Sequence, residues 1–409
     1  MHILFLSDNF PPEVNAPASR TFEHCREWVR EGHRVTVITT APNFPTGKVL
    51  PGYRNRLCAR ETVEGVEVIR VWSYISANEG FLRRTLDYVS YAATASLAAL
   101  FVRKVDIVLA TSPQFFTACA GWLTGLLKRR PYVFELRDLW PESIRAVGAM
   151  KNERALAALE ALELFLYRRA AAVVSVTRSF KVNLVERGIS AEKIEVITNG
   201  ADLTRFAPRP KDADLVRTLG LEDHFVAGYV GTHGLAHALG TVLEAAEIVR
   251  GLPGGDAVRF VLLGDGAEKQ TLKARAEALR LTNVVFVDTV TKDEVARYWS
   301  LLDASIVHLK DTPLFRTVIP SKLFECMAMG IPVLHGVRGE SADIVARDGV
   351  GVVFTPENPR ALAQAITALM NDEPGRKAMA RRCVEGARAY DRTNLARRMS
   401  GLLERVVAK

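Results

Sequence analysis

Short β-branched and apolar runs alternate with stretches of helical periodicity along almost the whole chain. In the first half, Ile3–Ser7, Arg34–Thr39, Val66–Val71, Asp106–Ala110, Tyr132–Leu136, Ala172–Val176 and Ile194–Ile197 read as strands. Between them Ser19–Glu31, Leu82–Arg103, Gln114–Lys128, Glu153–Arg169 and Ser179–Arg187 read as helices. Gly32 follows the first of these as a helix stop. The series then restarts, with strands expected at Phe225–Val230, Arg259–Leu263, Val284–Val287, Ala304–His308, Pro332–His335 and Gly351–Phe354. This alternation is the pattern of parallel α/β sheets.

Between the two series lie Thr204–Pro210, with two prolines, and the charged run Lys211–Asp214. We therefore expect a domain over residues 1–205, a second over 206–385, and a cationic helix over 386–409 that packs back on the first. A chain of 409 residues exceeds one ordinary core, which also points to two domains.

Composition adds little except by exclusion. Hydrophobic residues make up 48% and charged residues 24%, far from disorder. No run of apolar residues is long enough to span a bilayer, and Met1–Asp8 reads as a first strand rather than a signal peptide. Five scattered cysteines without a C-x-x-C pair imply a reducing, cytoplasmic setting with neither disulfides nor zinc. The charge of +8 is uneven, at +6 over residues 1–205, −2 over 206–385 and +4 over 386–409. An anionic surface would approach the first half or the tail. Leu82–Lys104, basic at both ends and apolar between, fits either an interfacial amphipathic helix or a buried one.

The first strand leads into Ser7–Glu13 with no glycine before residue 32, so the first half lacks a dinucleotide fingerprint. The second half has Tyr229-Val230-Gly231-Thr232 and Leu263-Gly264-Asp265-Gly266 at strand–helix turns. Such turns either let phosphates reach backbone N–H groups or serve only as tight turns. Pro320-Ser321 starts a helix that Gly330 ends. Lys322 in its first turn is unfavourable there without a bound anion, and Glu325, one turn on, is placed to accept hydrogen bonds from ribose hydroxyls. Asp212-Ala213-Asp214 sits in the linker, so a metal clamp is not expected there.

Pro320-Ser321-Lys322-x-x-Glu325 with Ala328-x-Gly330-x-Pro332-Val333, the two glycine turns and Asn199-Gly200-Ala201-Asp202 together resemble the family 4 retaining glycosyltransferases. Gly32-His33-x-Val35-x-Val37-x-Thr39, Pro42-Asn43-x-Pro45-x-Gly47 and Arg137-Asp138-Leu139-Trp140-Pro141-Glu142-Ser143 resemble the bacterial branch that builds O-antigen and capsule units, including L-fucosamine transferases. The resemblance implies the GT-B fold, two Rossmann-like domains facing each other across a cleft. It also implies a nucleotide-sugar donor, UDP-linked and carrying an N-acetylated amino sugar, a polyprenyl-diphosphate-linked saccharide acceptor, and peripheral contact with the inner leaflet. No cofactor, metal or nucleic acid is expected.

Two departures bear on the site. The family's paired glutamates become Thr317 and Glu325, and the usual Arg and Lys after the Tyr229 strand give way to His233 and His237. Lys322 and Arg316 are therefore the expected cations for the diphosphate, with N–H groups of Gly231, Thr232, Gly264, Gly266 and the Ser321 helix start. Thr317 and Ile319 are the expected donor-sugar contacts. Each fixed donor aimed at the developing phosphate charge contributes on the order of 3–4 kcal/mol. In retaining enzymes of this kind the leaving phosphate is thought to take the acceptor proton. Asp138 and Arg137 would serve the acceptor side, with Glu13 and Asn15, although Arg137 and Asp138 pairing together or capping a helix fits as well. A UDP-sugar 2-epimerase of the same fold is the alternative; a basic nucleic-acid or membrane-binding protein is the remote one, and no nucleic-acid module motif supports it.

Overall fold

Strands β1 (His2–Leu6), β2 (Arg34–Thr40), β3 (Cys58–Val63), β4 (Val66–Val71), β5 (Ile107–Thr111), β6 (Tyr132–Leu136), β7 (Ala172–Ser175) and β8 (Ile194–Val196) form one sheet in the order β3-β4-β2-β1-β5-β6-β7-β8. The computed structural model describes residues 1–409 apart from 45, 77–80, 141, 143–149 and 151; the motif members Pro45, Pro141 and Ser143 thus lie outside the described residues. All pairings are parallel except β3–β4. Strand β1 is buried along its length, with Leu4 and Leu6 in one apolar layer and Ile3 and Phe5 in the layer on the other face. Burial on both faces is why these strands read as continuous apolar runs. Strand β3 escaped the sequence reading because its residues alternate between exposed and half-buried. Its signal was the two-residue Glu64-Gly65 turn, where both φ angles are positive (47° and 84°), the geometry of a tight hairpin.

The second sheet holds β9 (Phe225–Val230), β10 (Val258–Leu263), β11 (Val284–Val287), β12 (Ala304–His308), β13 (Val333–Gly336) and β14 (Gly351–Val353), all parallel, in the order β11-β10-β9-β12-β13-β14. Renumbered within the unit this is 3-2-1-4-5-6, the doubly wound order. Its topological switch lies between β9 and β12, and ligands bind beyond the carboxyl ends of strands at such a point.

The boundaries differ from the expected ones. One unit comprises Met1–Thr198 with Arg392–Lys409, and the other Asn199–Asp391. Residues 199–205 join the second unit because Ala201 bridges Asp391 and donates its N–H to the Tyr390 carbonyl at 3.0 Å. The tail returns to the first unit only from 392. Helix Arg392–Val407 lies on α1 (Ala16–Arg30), with Leu395, Met399 and Leu403 buried. Trp28 Nε1 donates to the Ala396 carbonyl at 2.8 Å, and Arg392 pairs with Glu23 at 2.5 Å. The expected linker also contains structure. Asp212 caps the short helix Ala213–Thr218, accepting from the Leu215 N–H at 3.1 Å, and pairs with Arg297 at 2.7 Å.

Candidate functional site

At the switch point of the second sheet, the turns after β9 and β10 pack tightly together. Gly264 has φ +140°, and a Cβ there would stand 1.9 Å from the Gly231 carbonyl oxygen; at Gly266 it would stand 2.5 Å from the His233 oxygen. Only glycine admits this approach. The N–H groups of these turns are spent on holding them. Gly231 N–H donates to Leu263 O at 2.9 Å, Gly264 N–H to Val287 O at 3.1 Å and Gly266 N–H to Asp265 Oδ1 at 2.8 Å. The expectation that these three N–H groups face a phosphate is therefore corrected: their glycines serve close packing. Lys269, at the position of a third glycine, is buried and donates to Gly264 O at 2.7 Å while pairing with Asp288 at 2.5 Å.

Lys322 reaches in beside these turns. Its Nζ lies 3.6 Å from the centroid of the buried Tyr229 ring and has no hydrogen-bond partner among the described residues. Burial drives its pKa down to about 7, opposed by the neighbouring Glu325 carboxylate. Gly231, with φ +143°, keeps the space beside that nitrogen open, since a Cβ there would come within 2.8 Å of it. Tyr229 is itself fixed by its hydroxyl, which donates to Thr232 O at 2.8 Å. His233 and His237 flank the same ring, at 5.9 and 5.8 Å between centroids. Burial and the Lys269 and Lys322 charges hold His233 at about 4; burial and Lys322 hold His237 at about 3. Both nitrogens of His233 and Nδ1 of His237 are buried without partners among the described residues.

The surrounding residues sort by what they touch. His308, at the end of β12, receives the Glu357 N–H on Nε2 at 2.9 Å, so its Nδ1 carries the proton and donates to His237 O at 2.8 Å. It ties the end of β12 to the turn that follows β9 and to the segment that follows β14. Arg316 is not poised as a free cation: Nε and a terminal nitrogen bind Asp311 Oδ1 at 3.1 and 3.0 Å, and Arg338 takes the other oxygen at 2.9 Å. Thr317 turns its hydroxyl onto Leu314 O at 2.7 Å. The Ile319 side chain belongs to the core, which leaves its backbone for any sugar contact. Ser321 precedes helix Lys322–Ala328 without a side-chain cap bond.

In the first unit the expected acceptor residues are tied into the fold. Asn15 caps α1 by accepting from the Ala18 N–H at 2.8 Å, and Glu13 grips the Asn43 and Phe44 N–H groups at 2.8 and 2.9 Å. Ser112 Oγ accepts the N–H groups of Arg137 and Asp138 at 2.7 and 3.3 Å, while the Arg137 guanidinium reaches Pro17 O at 3.3 Å. Burial lowers the Arg137 pKa to about 10, with Glu135 opposing. Beyond β1, Gln114 donates to Asp8, and burial raises the pKa of Asp8, Glu13 and Asp87, that of Asp87 to about 6.

Residues 15–200 match the glycosyl transferase 4-like domain, and residues 214–389 match glycosyl transferases group 1. The chain belongs to the family 4 glycosyltransferases. The Escherichia coli (strain K12) protein WcaI, whose name assigns it provisionally as a colanic acid biosynthesis glycosyl transferase, is 26% identical to this glycosyltransferase over 97% of its chain and 98% of WcaI. Two solved structures share its GT-B fold. Sucrose-phosphate synthase from Thermosynechococcus elongatus has a TM-score of 0.79 at 17% identity, covering 100% of this chain and 99% of the synthase. Anabaena HepE, solved with UDP-glucose, has a TM-score of 0.71 at 18% identity over 99% of both chains.

Sequence reasoning named Lys322 and Glu325 but did not single out the residues that pack around Lys322 in the second unit. Tyr229 was read only as part of a turn motif, and the roles of Lys269 and His308 had no local signal. In the first unit, Asp8 and Gln114, which bond to each other, were not singled out either. Their place at the ends of β1 and β5, where the first sheet reverses its order, could have pointed to them.

Proposed function

We propose that this enzyme is a retaining transferase that moves an N-acetylated amino sugar of the fucosamine kind from UDP to a polyprenyl-diphosphate-linked saccharide. The product would be a bacterial surface polysaccharide of the O-antigen or capsule class. The observation that carries the donor reading is the buried, unpartnered Lys322 ammonium over Tyr229. A buried ammonium with no hydrogen-bonded acceptor is costly, and a diphosphate supplies both acceptors and further negative charge beside Glu325. The UDP-glucose bound to HepE and the colanic acid role in WcaI's name support the donor and pathway class.

In this reading Lys322 neutralises charge on the leaving diphosphate, Glu325 holds the ribose, and Ser321 and Thr232 line the phosphates. Gly231, Gly264 and Gly266 set the shape of the pocket. Thr317 and the Ile319 backbone meet the sugar, and Arg316 contributes only by leaving Asp311. Fixed charge in a preorganised site favours the transition state without reorganisation, and no metal ion takes part. We assign the acceptor to the first unit, with Asp138 and Arg137 as its catalytic-side contacts and Glu13 and Asn15 shaping the loop after β1. The enzyme works in the cytoplasm, peripheral to the inner leaflet.

A thermal-shift comparison of UDP, GDP, ADP and dTDP, with and without Mg²⁺ and EDTA, tests this directly. A ligand at about 100 times its Kd adds roughly 2.7 kcal/mol. We expect stabilisation by UDP, unchanged by EDTA and lost in Glu325→Ala. No shift with any diphosphate would refute the donor site. Incubation with the donor alone separates a transferase, which hydrolyses it slowly, from an epimerase, which converts it.

A further inference from the structure

The first sheet reverses its strand order between β1 and β5, and ligands of open α/β sheets bind beyond the strand ends at such a point. Asp8 follows β1 there, and Gln114 follows β5 as the residue before α3 (Phe115–Lys128). The Gln114 amide donates to Asp8 Oδ2. Glu13, in the loop between β1 and α1, takes the Asn43 and Phe44 N–H groups on Oε1. A third carboxyl comes from α2 (Phe81–Leu100), whose buried side carries Tyr91, Ala95 and Ala99. Asp87 lies one turn before Tyr91 on that side. Asp8 Oδ1, Glu13 Oε2 and Gln114 Oε1 are buried acceptors with no hydrogen-bond partner among the described residues. Gln114 is 7% exposed and Glu13 4%, while Asp8 and Asp87 are half-buried and open the group to solvent. Among the described residues no ion pair is formed by Asp8, Glu13 or Asp87. Arg70, whose charge acts on Glu13, is bound to Glu61, Thr40 O and Pro11 O. The carboxyls also repel one another: burial, then the Asp87 and Glu13 charges, lift the Asp8 pKa well above the usual carboxylate range.

We infer that Asp8, Glu13, Asp87 and Gln114 form a site for a primary ammonium group, carried by an amino sugar of the acceptor or by a polyamine. The ligand's chemistry matches what the group lacks. An ammonium has three donors and no acceptor, against the three unmatched oxygens. Its charge also offsets the repulsion between the carboxylates. A neutral hydroxyl brings a donor without the charge, and a uronate or phosphate adds to the repulsion. No three His, Cys, Asp or Glu side chains among the described residues are grouped to hold a metal ion. The carboxyls are therefore set for a larger cation whose hydrogen bonds reach about 2.7–3.2 Å. A chain of charge +8 has no general attraction for cations, so binding of an amine has to be local. The inference rests on the assignment of the acceptor to the first unit only for the source of the amine. A saccharide could occupy that unit without an amine, so the two readings can fail separately.

The test is saturation-transfer NMR of the full chain with glucosamine, N-acetylglucosamine, glucuronate and putrescine, at about pH 7, where primary amines are protonated. We expect an amine to bind, N-acetylglucosamine to bind about tenfold more weakly for want of the charged donor, and glucuronate not to bind. Glucosamine binding above putrescine assigns the amine to the acceptor sugar, and the reverse order assigns it to a polyamine. Asp87→Asn and Asp8→Asn, which keep the side-chain shape, should each weaken amine binding about tenfold. A cooperative melt and an unchanged UDP thermal shift in each variant verify that it folds. Glucosamine and N-acetylglucosamine binding alike would overturn the inference and leave the acceptor assignment standing. Absence of binding by either amine, or binding untouched by both variants, would overturn it as well.

Discussion

Lys322 Nζ stands 3.6 Å above the Tyr229 ring with no hydrogen-bond partner among the described residues. The ring face offsets part of the cost of burying the ammonium, and the Glu325 carboxylate adds to this. Residues serving stability alone rarely leave a buried cation so poorly matched. Lys322→Met is therefore expected to raise the melting temperature of the ligand-free protein while removing the stabilisation by UDP. A lowered melting temperature with the UDP shift intact would mean that Lys322 is a structural residue.

The same nitrogen should make donor binding depend on pH. Held at about 7 by burial, it is largely neutral at pH 8 in the free protein. A bound diphosphate favours its charged form, so binding takes up a proton above pH 7 and affinity falls as pH rises. The limiting slope is about tenfold per pH unit for one proton. Titration calorimetry in two buffers of different ionisation enthalpy measures the uptake. A UDP affinity flat between pH 6 and 9 would contradict the assignment.

Arg316 offers a contrast. Because both of its contacting nitrogens are bound to Asp311, Arg316→Ala should change UDP affinity far less than Lys322→Ala. Equal losses in the two variants would show that Arg316 leaves Asp311 for the diphosphate.

Asp87 is raised to about 6 by burial, with the Glu13 charge adding to it. A carboxyl whose folded pKa exceeds its unfolded value stabilises below the unfolded value, near 3.8, and loses that contribution as pH rises through 6. Asp87→Asn should accordingly raise the melting temperature at pH 8 and change it little near pH 3, where Asp87 is mostly protonated folded or unfolded. The reverse order would indicate that Asp87 is ionised and paired in the folded protein.

At Gly264 the expected cost is steric. Its φ of +140°, and the Gly231 oxygen only 1.9 Å from where an alanine methyl would sit, make Gly264→Ala unfavourable by at least the 1–3 kcal/mol of backbone strain, roughly estimated. Urea unfolding reads this as a lowered midpoint. An unchanged midpoint would mean that the two turns separate easily.

The sequence by itself determined the two parallel sheets, the helical tail with an apolar face, and the placing of Lys322 and Glu325 one turn apart on a helix. These follow from apolar periodicity and from helix start and stop residues, which act over a few neighbours. Only the tertiary structure decided that Tyr229 lies under Lys322, that Gly231, Gly264 and Gly266 spend their N–H groups within the protein, and that Arg316 belongs to Asp311. It also settled which side of α2 is buried, and it moved the unit boundary to residue 199. The reason is physical. Periodicity tells which residues avoid water, but a polar group's partner depends on which loops the strand order brings to the same sheet edge, and that is set by contacts between distant parts of the chain.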